Sequence, residues 1–189
     1  MTQGTKYEVM KFTEQGERCY KGSDCIYGEL LGKYIQNNPY IEKTQVFFWI
    51  SELIKQINQY HKCKGQRPYQ YVNPYMMVVN SQEEITLIDT QARSNELLIK
   101  TANSLVMREH FLPDFIHDYS ASDVMTDIYG IGKSIQYVFA MTAPDPKLTI
   151  WEEWSFRKII RNCLNVSLKK GYQIPYDIFK HFPKLKNKV

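Results

Sequence analysis

A chain of 189 residues with 43% hydrophobic and 14% aromatic side chains has the size of one ordinary domain and enough apolar surface for one substantial core. Its 24 Lys and Arg against 20 Asp and Glu leave a formal charge of +4, a mild excess concentrated only at Lys180, Lys184, Lys186 and Lys188, which supports nucleic-acid binding feebly and reads first as a solvated tail. Four cysteines without CxxC spacing and four histidines with no pair at i and i+4 argue against a zinc site, and the thiols are expected to be reduced in a cytoplasmic protein.

In chain order, residues 7–13 and 18–27 are expected as two short strands joined at Glu14-Gln15-Gly16. Gly28 ends the second strand and opens a short helix, residues 29–36, stopped by Asn37-Asn38-Pro39. From 41 to 61, Val46, Ile50, Leu53, Ile57 and Tyr60 recur at helical spacing. Residues 75–79 and 85–88 form a small hairpin across Asn80-Ser81-Gln82-Glu83-Glu84. Ser94 caps a helix to about Arg108 that carries Leu97, Leu98, Leu105 and Val106. Ile128, Ile131, Ile135 and Val138 mark another helical face. Thr149 with Glu152 forms a capping box for a helix through Leu164 that buries Trp154, Phe156, Ile160 and Cys163 or their neighbours, and Pro175 opens a last helix, residues 176–182. The expected class is α+β, mainly α, in a single domain: a β-rich segment 1–27, a helical region 28–182 and a basic tail 183–189. The N-terminus lacks the apolar stretch of a signal peptide, and the longest apolar run, residues 46–50, is far too short to cross a bilayer, so no membrane partner is expected.

With these elements in this order, the chain resembles the C-terminal lobe of the protein kinase fold over residues 28–182. "YGELLGKYIQNN" resembles the hinge and first helix of that lobe, and the stripe from 41 to 61 its long central helix. "YQYVNPYMMVV" lies on H-R-D-L-K-P-x-N-I-L, anchored by Pro74; "ITLID" lies on the strand before D-F-G; "TDIYGIG" resembles the D-x-Y-S-x-G start of the next buried helix; and "IIRNCLNVSLKKGYQIPYDIFKHF" resembles the closing helices.

The resemblance implies a degenerate member. A kinase needs a carboxylate to take the substrate proton, a cation beside the phosphoryl group, an Asn and an Asp on magnesium, and a strand lysine on the phosphates. On that pattern, the H-R-D positions hold Tyr69, Gln70 and Tyr71, the lysine position Asn73 and the metal-binding asparagine position Met76. A phenol with a pKa of ~10 does not replace the carboxylate, and a thioether is a poor magnesium ligand. Only Asp89 keeps its place, followed by Thr90-Gln91; its plainer reading is a strand-end carboxylate bonded to nearby backbone. Asp127 matches the aspartate that hydrogen-bonds the catalytic-loop backbone in the family, with an N-terminal helix carboxylate as the plainer reading. Tyr69, Tyr71, Tyr75 and Met76 either fill the former cleft or simply pack their rings. No G-x-G-x-x-G occurs, and "YEVMK" offers Lys11 as a strand lysine with only sixteen residues between it and Gly28, too few for the rest of a nucleotide-clasping lobe. Lys11 therefore reads as an exposed strand residue.

Three functions are carried forward. The first is a catalytically inactive kinase-like domain, a regulatory or protein-interaction module that binds a protein partner or itself through residues 7–27 and the adjoining cleft. It expects no cofactor, metal or nucleotide, and its compact form points, through the resemblance, to a bacterial protein. The second is a divergent nucleotide-binding phosphotransferase using Asp89 and Lys11. The third is a helical nucleic-acid binder using the tail lysines and exposed aromatics.

Overall fold

The computed structural model describes residues 4–16, 18–116, 121–165 and 171–183. Strands β1 (Thr5–Gln15) and β2 (Arg18–Leu30) form a long antiparallel hairpin turned at Gly16, whose φ of 60° lies in the left-handed region that glycine enters at no steric cost. The end of β2, Glu29 and Leu30, pairs with Val79 and Val78 of β3 (Met77–Val79), which in turn pairs with β4 (Ile85–Leu87). One antiparallel sheet in the order β1-β2-β3-β4 results, and a bridge from Val9 to Ile88 curls it back on itself. The two hairpins expected separately are thus one sheet, because β2 runs on past Gly28 to Leu30.

The helices are α1 (Leu31–Asn37), α2 (Lys43–Cys63), α3 (Glu96–Ala102), α4 (Leu105–Phe111), α5 (Val124–Met141) and α6 (Ile150–Leu164). The class is α+β, as composition and periodicity imply. On α2 the expected stripe Val46, Ile50, Leu53, Ile57 and Tyr60 is buried, and so are Ile128, Ile131, Ile135 and Val138 of α5. Each large aliphatic side chain so buried is worth about 1.5–3 kcal/mol, which is why these two helices sit at the centre. The sheet docks on α2 through polar side chains as well. Gln56 of α2 donates to the Ile85 carbonyl (2.8 Å) and accepts from the Leu87 amide (3.0 Å), while Trp49 Nε1 and Gln45 Nε2 both donate to the Glu83 carbonyl (2.6 Å each).

Helices α5 and α6 each begin on a reciprocal cap. Asp123 and Thr126 form a capping box on α5, and Thr149 and Glu152 form the expected one on α6. Gly132 allows α6 to lie close, since a Cβ there would stand 2.6 Å from Cys163 Cβ.

Several expectations are corrected. The helix expected from Ser94 to Arg108 is broken at Asn103-Ser104 into α3 and α4, and Leu97, Leu105 and Val106 are exposed, because neither short piece lays these side chains on the core. On α6, Phe156 and Cys163 are buried but Trp154 is exposed, as Ile159 takes the inward place. The last helix is a 3-10 turn, Pro175–Lys180. Cys19 and Cys63, expected as thiols, are joined in a disulfide with Cα atoms 4.7 Å apart, because the hairpin lies over the C-terminal end of α2. Cys25 and Cys163 are free. Lys184, Lys186 and Lys188 of the tail lie outside the described residues, and Lys180 pairs with Asp177 at 2.6 Å. Among the described residues no helix is long and apolar enough to cross a membrane.

Candidate functional site

The segment 69–76 is held from below by a single buried carboxylate. Asp127, in the first turn of α5, accepts from the Tyr69 amide (2.5 Å) and the Gln70 amide (2.9 Å), and its Oδ2 lies 2.7 Å from Nε2 of buried His61 near the end of α2. With two backbone N–H groups already directed at Asp127, the carboxylate acts as acceptor and His61 Nε2 carries the shared proton; His61 Nδ1 is buried and has no hydrogen-bond partner among the described residues. Burial raises the Asp127 pKa, and His61 and the two amides only partly oppose it. Gln70 adopts φ 79°, a left-handed conformation that a side chain enters at a cost, and its bond to Asp127 helps to hold it there. Gly130 matters here as well: a Cβ on it would lie 2.7 Å from the Val72 carbonyl, so α5 reaches the segment only through a residue without one.

The positions singled out in sequence take structural roles. Tyr69 is buried edge-on to Tyr60, with ring centroids 5.5 Å apart, and its hydroxyl donates to the Ile88 carbonyl (2.9 Å). Burial, followed by the nearby Asp127 charge, raises its pKa far above the ordinary value, so the phenol stays protonated. Tyr71 is half-buried, and burial raises its pKa too. Asn73 is buried and caps the 3-10 turn Pro74–Met76: its Oδ1 accepts from the Tyr75 amide (2.9 Å) and its Nδ2 donates to the Tyr71 carbonyl (3.3 Å). Met76 is buried in the apolar core.

Asp89 lies just beyond β4 in a denser network. Lys21 Nζ of β2 donates to both carboxylate oxygens (2.7 and 2.8 Å), Ser23 Oγ donates to Oδ2, and the Gln91 amide donates to Oδ1 (3.0 Å). Lys21 also reaches Gln91 Oε1 at 3.2 Å. The Lys21 and Asp89 side chains are only 9% and 2% exposed, so this ion pair is buried. Burial pushes the Asp89 pKa up, but Lys21, Ser23 and the Gln91 amide outweigh it and hold the carboxyl below its usual range. The backbone around it is tied to β1: the Asp89 amide donates to the Glu8 carbonyl (2.9 Å), and Asn95 Nδ2 bridges the Glu8 carbonyl (2.7 Å) and the Asp89 carbonyl (2.9 Å).

Lys11 and Asp89 are not brought together. In the hairpin register Lys11 stands opposite Gly22 while Lys21 stands opposite Phe12, so the two lysines project from opposite faces of the sheet, and Lys11 pairs with exposed Asp24 at 3.4 Å. Lys21, Ser23 and His61 are the members that sequence reasoning passed over. The signal for the first two was available: Cys19, Lys21, Ser23 and Cys25 alternate along β2 and share the face of Met10 and Phe12, both of which pack inward. No pattern marked His61 apart from its place at the end of the α2 stripe.

Apart from His61 Nδ1, the polar groups of this site are partnered. An ammonium neutralises the one carboxylate at the strand end, the phenols are protonated, and the second carboxylate serves backbone amides. Among the described residues no cluster of three or more His, Cys, Asp or Glu is placed to hold a metal ion. The chain matches no protein-family model and no curated protein sequence.

Proposed function

We propose that the chain is a catalytically inactive domain of the protein-kinase-like kind that works as a protein-interaction or regulatory module. The observation that carries the reading is the state of Asp89. In the family this position serves magnesium, whereas here both oxygens are taken by Lys21, Ser23 and the Gln91 amide, and the carboxylate joins the N-terminal hairpin to the body of the protein. The resemblance itself draws support from Asp127, whose bonds to the Tyr69 and Gln70 amides match the family's buried aspartate. The groups that would move a proton or neutralise a transferring phosphoryl are replaced by Tyr69, Tyr71, Asn73 and Met76, of which Tyr69, Asn73 and Met76 are buried. Because positioning and charge stabilisation supply nearly all catalysis of phosphoryl transfer, their joint loss removes activity altogether. Without chemistry, function rests on contacts, and the exposed Tyr20 and Tyr27 on the hairpin are the first candidates.

The test is thermal unfolding with millimolar ATP and magnesium. A ligand of the folded state at ~100 times its dissociation constant stabilises by about 2.7 kcal/mol, a shift of a few degrees in Tm for a domain of this size. No shift is expected. A magnesium-dependent shift that disappears in Asp89→Ala, in a protein still folded, would overturn this reading and favour the nucleotide-binding phosphotransferase instead.

A further inference from the structure

Helix α6 is two-faced along its whole length. Phe156, Ile159 and Cys163 are buried, and on the opposite side stand Ile150, Trp151 and Trp154, 86%, 78% and 56% exposed, followed by Arg157, Lys158 and Arg161. The spacing 150, 154, 157, 161 places Ile150, Trp154, Arg157 and Arg161 in one row, with Trp151 and Lys158 beside it. Two exposed tryptophans and an isoleucine in one turn form a patch that a soluble surface does not carry without cause. Its acids are already engaged: Glu152 with Lys43 at 3.0 Å and Glu153 with Arg157 at 3.8 Å. Lys158 and Arg161 face no carboxylate within ion-pair distance among the described residues, and Lys158 Nζ lies 5.3 Å from the Trp154 ring centre.

We propose that this face of α6 is a docking surface for an anionic lipid bilayer, met from the side and not spanned. The charge of the face calls for an anionic partner, and its other contacts choose among anionic partners. Ile150, the most exposed of the row, gains nothing from a phosphate backbone or a base edge but gains from the acyl boundary. Tryptophan indoles settle at the headgroup level, and arginine and lysine extend their charged ends to lipid phosphates. Trp151 and Trp154 stand nearly perpendicular (80°, centroids 6.4 Å apart), which suits a layered interface better than a run of parallel stacked bases. A helical ridge also needs no shaped groove in its partner. No residue of this face belongs to the Asp89 network, so the result with magnesium and ATP bears on the proposed function and not on this surface.

The test is co-sedimentation of the intact chain with vesicles of mixed phosphatidylcholine and phosphatidylglycerol, compared with phosphatidylcholine alone. Binding is expected only to the mixed vesicles and should weaken with salt. Brominated acyl chains should quench Trp151 and Trp154, while Trp49, buried in the core, keeps its emission. The triple variant R157E/K158E/R161E should lose about a hundredfold in partition, at about fivefold for each of the three cations removed. W151S/W154S should lose a comparable amount with unchanged circular dichroism. The quenching arm uses the unaltered protein, so misfolding of a variant cannot decide the matter. Failure to bind mixed vesicles, absence of quenching, or binding that survives both variants overturns the proposal. Displacement from vesicles by a duplex oligonucleotide at lower concentration reassigns the face to nucleic acid.

Discussion

Asp89 and Asp127 are both buried carboxylates, yet their surroundings drive them in opposite directions. Asp89 meets a full positive charge, and its pKa falls; Asp127 meets two backbone amides and an imidazole, and burial wins, so its pKa rises. The first joins two pieces of structure, the hairpin and the strand end of the body. The second organises one piece, by fixing the turn of backbone at Tyr69 and Gln70 against α5 and α2. The difference teaches that a buried carboxylate facing a cation and one facing backbone amides carry different loads even within one small fold.

The sharpest way to break the comparison is Asp127→Ala. It leaves two amides and the His61 Nε2 proton buried without acceptors, and about 4 kcal/mol of stability should be lost, enough to leave the chain marginal in urea titration. A loss under 1 kcal/mol would mean that water replaces the carboxylate and that Asp127 organises nothing. Asp89→Ala ranks next at about 3 kcal/mol, because Lys21 is left without its partner, although the hairpin gives its long side chain a route toward solvent. The double variant K21M/D89L should recover most of that loss. If the double variant is as unstable as the single, the link is set by the hydrogen bonds that Ser23 and the Gln91 amide give the carboxylate and not by charge.

The pH dependence separates the two carboxylates by sign. Asp89 has a lowered pKa in the folded state, so its contribution is complete above the unfolded value of ~3.9 and is lost as pH falls through the lower folded value. Asp127 has a raised folded pKa, so acid relieves its penalty instead of adding to it. Unfolding followed from pH ~5 to ~2 should therefore show an acid-sensitive limb that K21M/D89L flattens; an unchanged limb in that variant would place the acid sensitivity elsewhere. The smallest effect belongs to Tyr69→Phe, which deletes the hydroxyl bond to Ile88 while keeping the ring against Tyr60. About 1 kcal/mol should go, and chemical denaturation resolves that much.

The parts of this fold legible in the sequence are those where one local period coincides with one global role. The stripes of α2 and α5 are read directly because each is also the wall of the core, and the capping box at Thr149 because its partners lie three residues apart. Features that depend on distant pairing escaped. Lys21 finds Asp89 only after the hairpin register, set at Gly16, has turned it toward β4, and Cys19 reaches Cys63 by the same folding-over. The break at Asn103-Ser104 escaped for another reason: apolar residues continue on both sides of it, so the pattern looks unbroken although Leu97, Leu105 and Val106 face solvent. Within the site, the segment holding Tyr69, Gln70, Tyr71, Asn73 and Met76 stands out in the sequence, while the bonds of Tyr69 and Asn73 to distant or local backbone do not.

The amide of Gln56 occupies the place on β4 that a neighbouring strand would hold, accepting from Leu87 and donating to Ile85. Deuterium uptake at the Leu87 amide is thus timed by α2 and not by the sheet. That proton should exchange at the slow rate of the central helix, even when the hairpin ends at Gln15 and Arg18 have already exchanged.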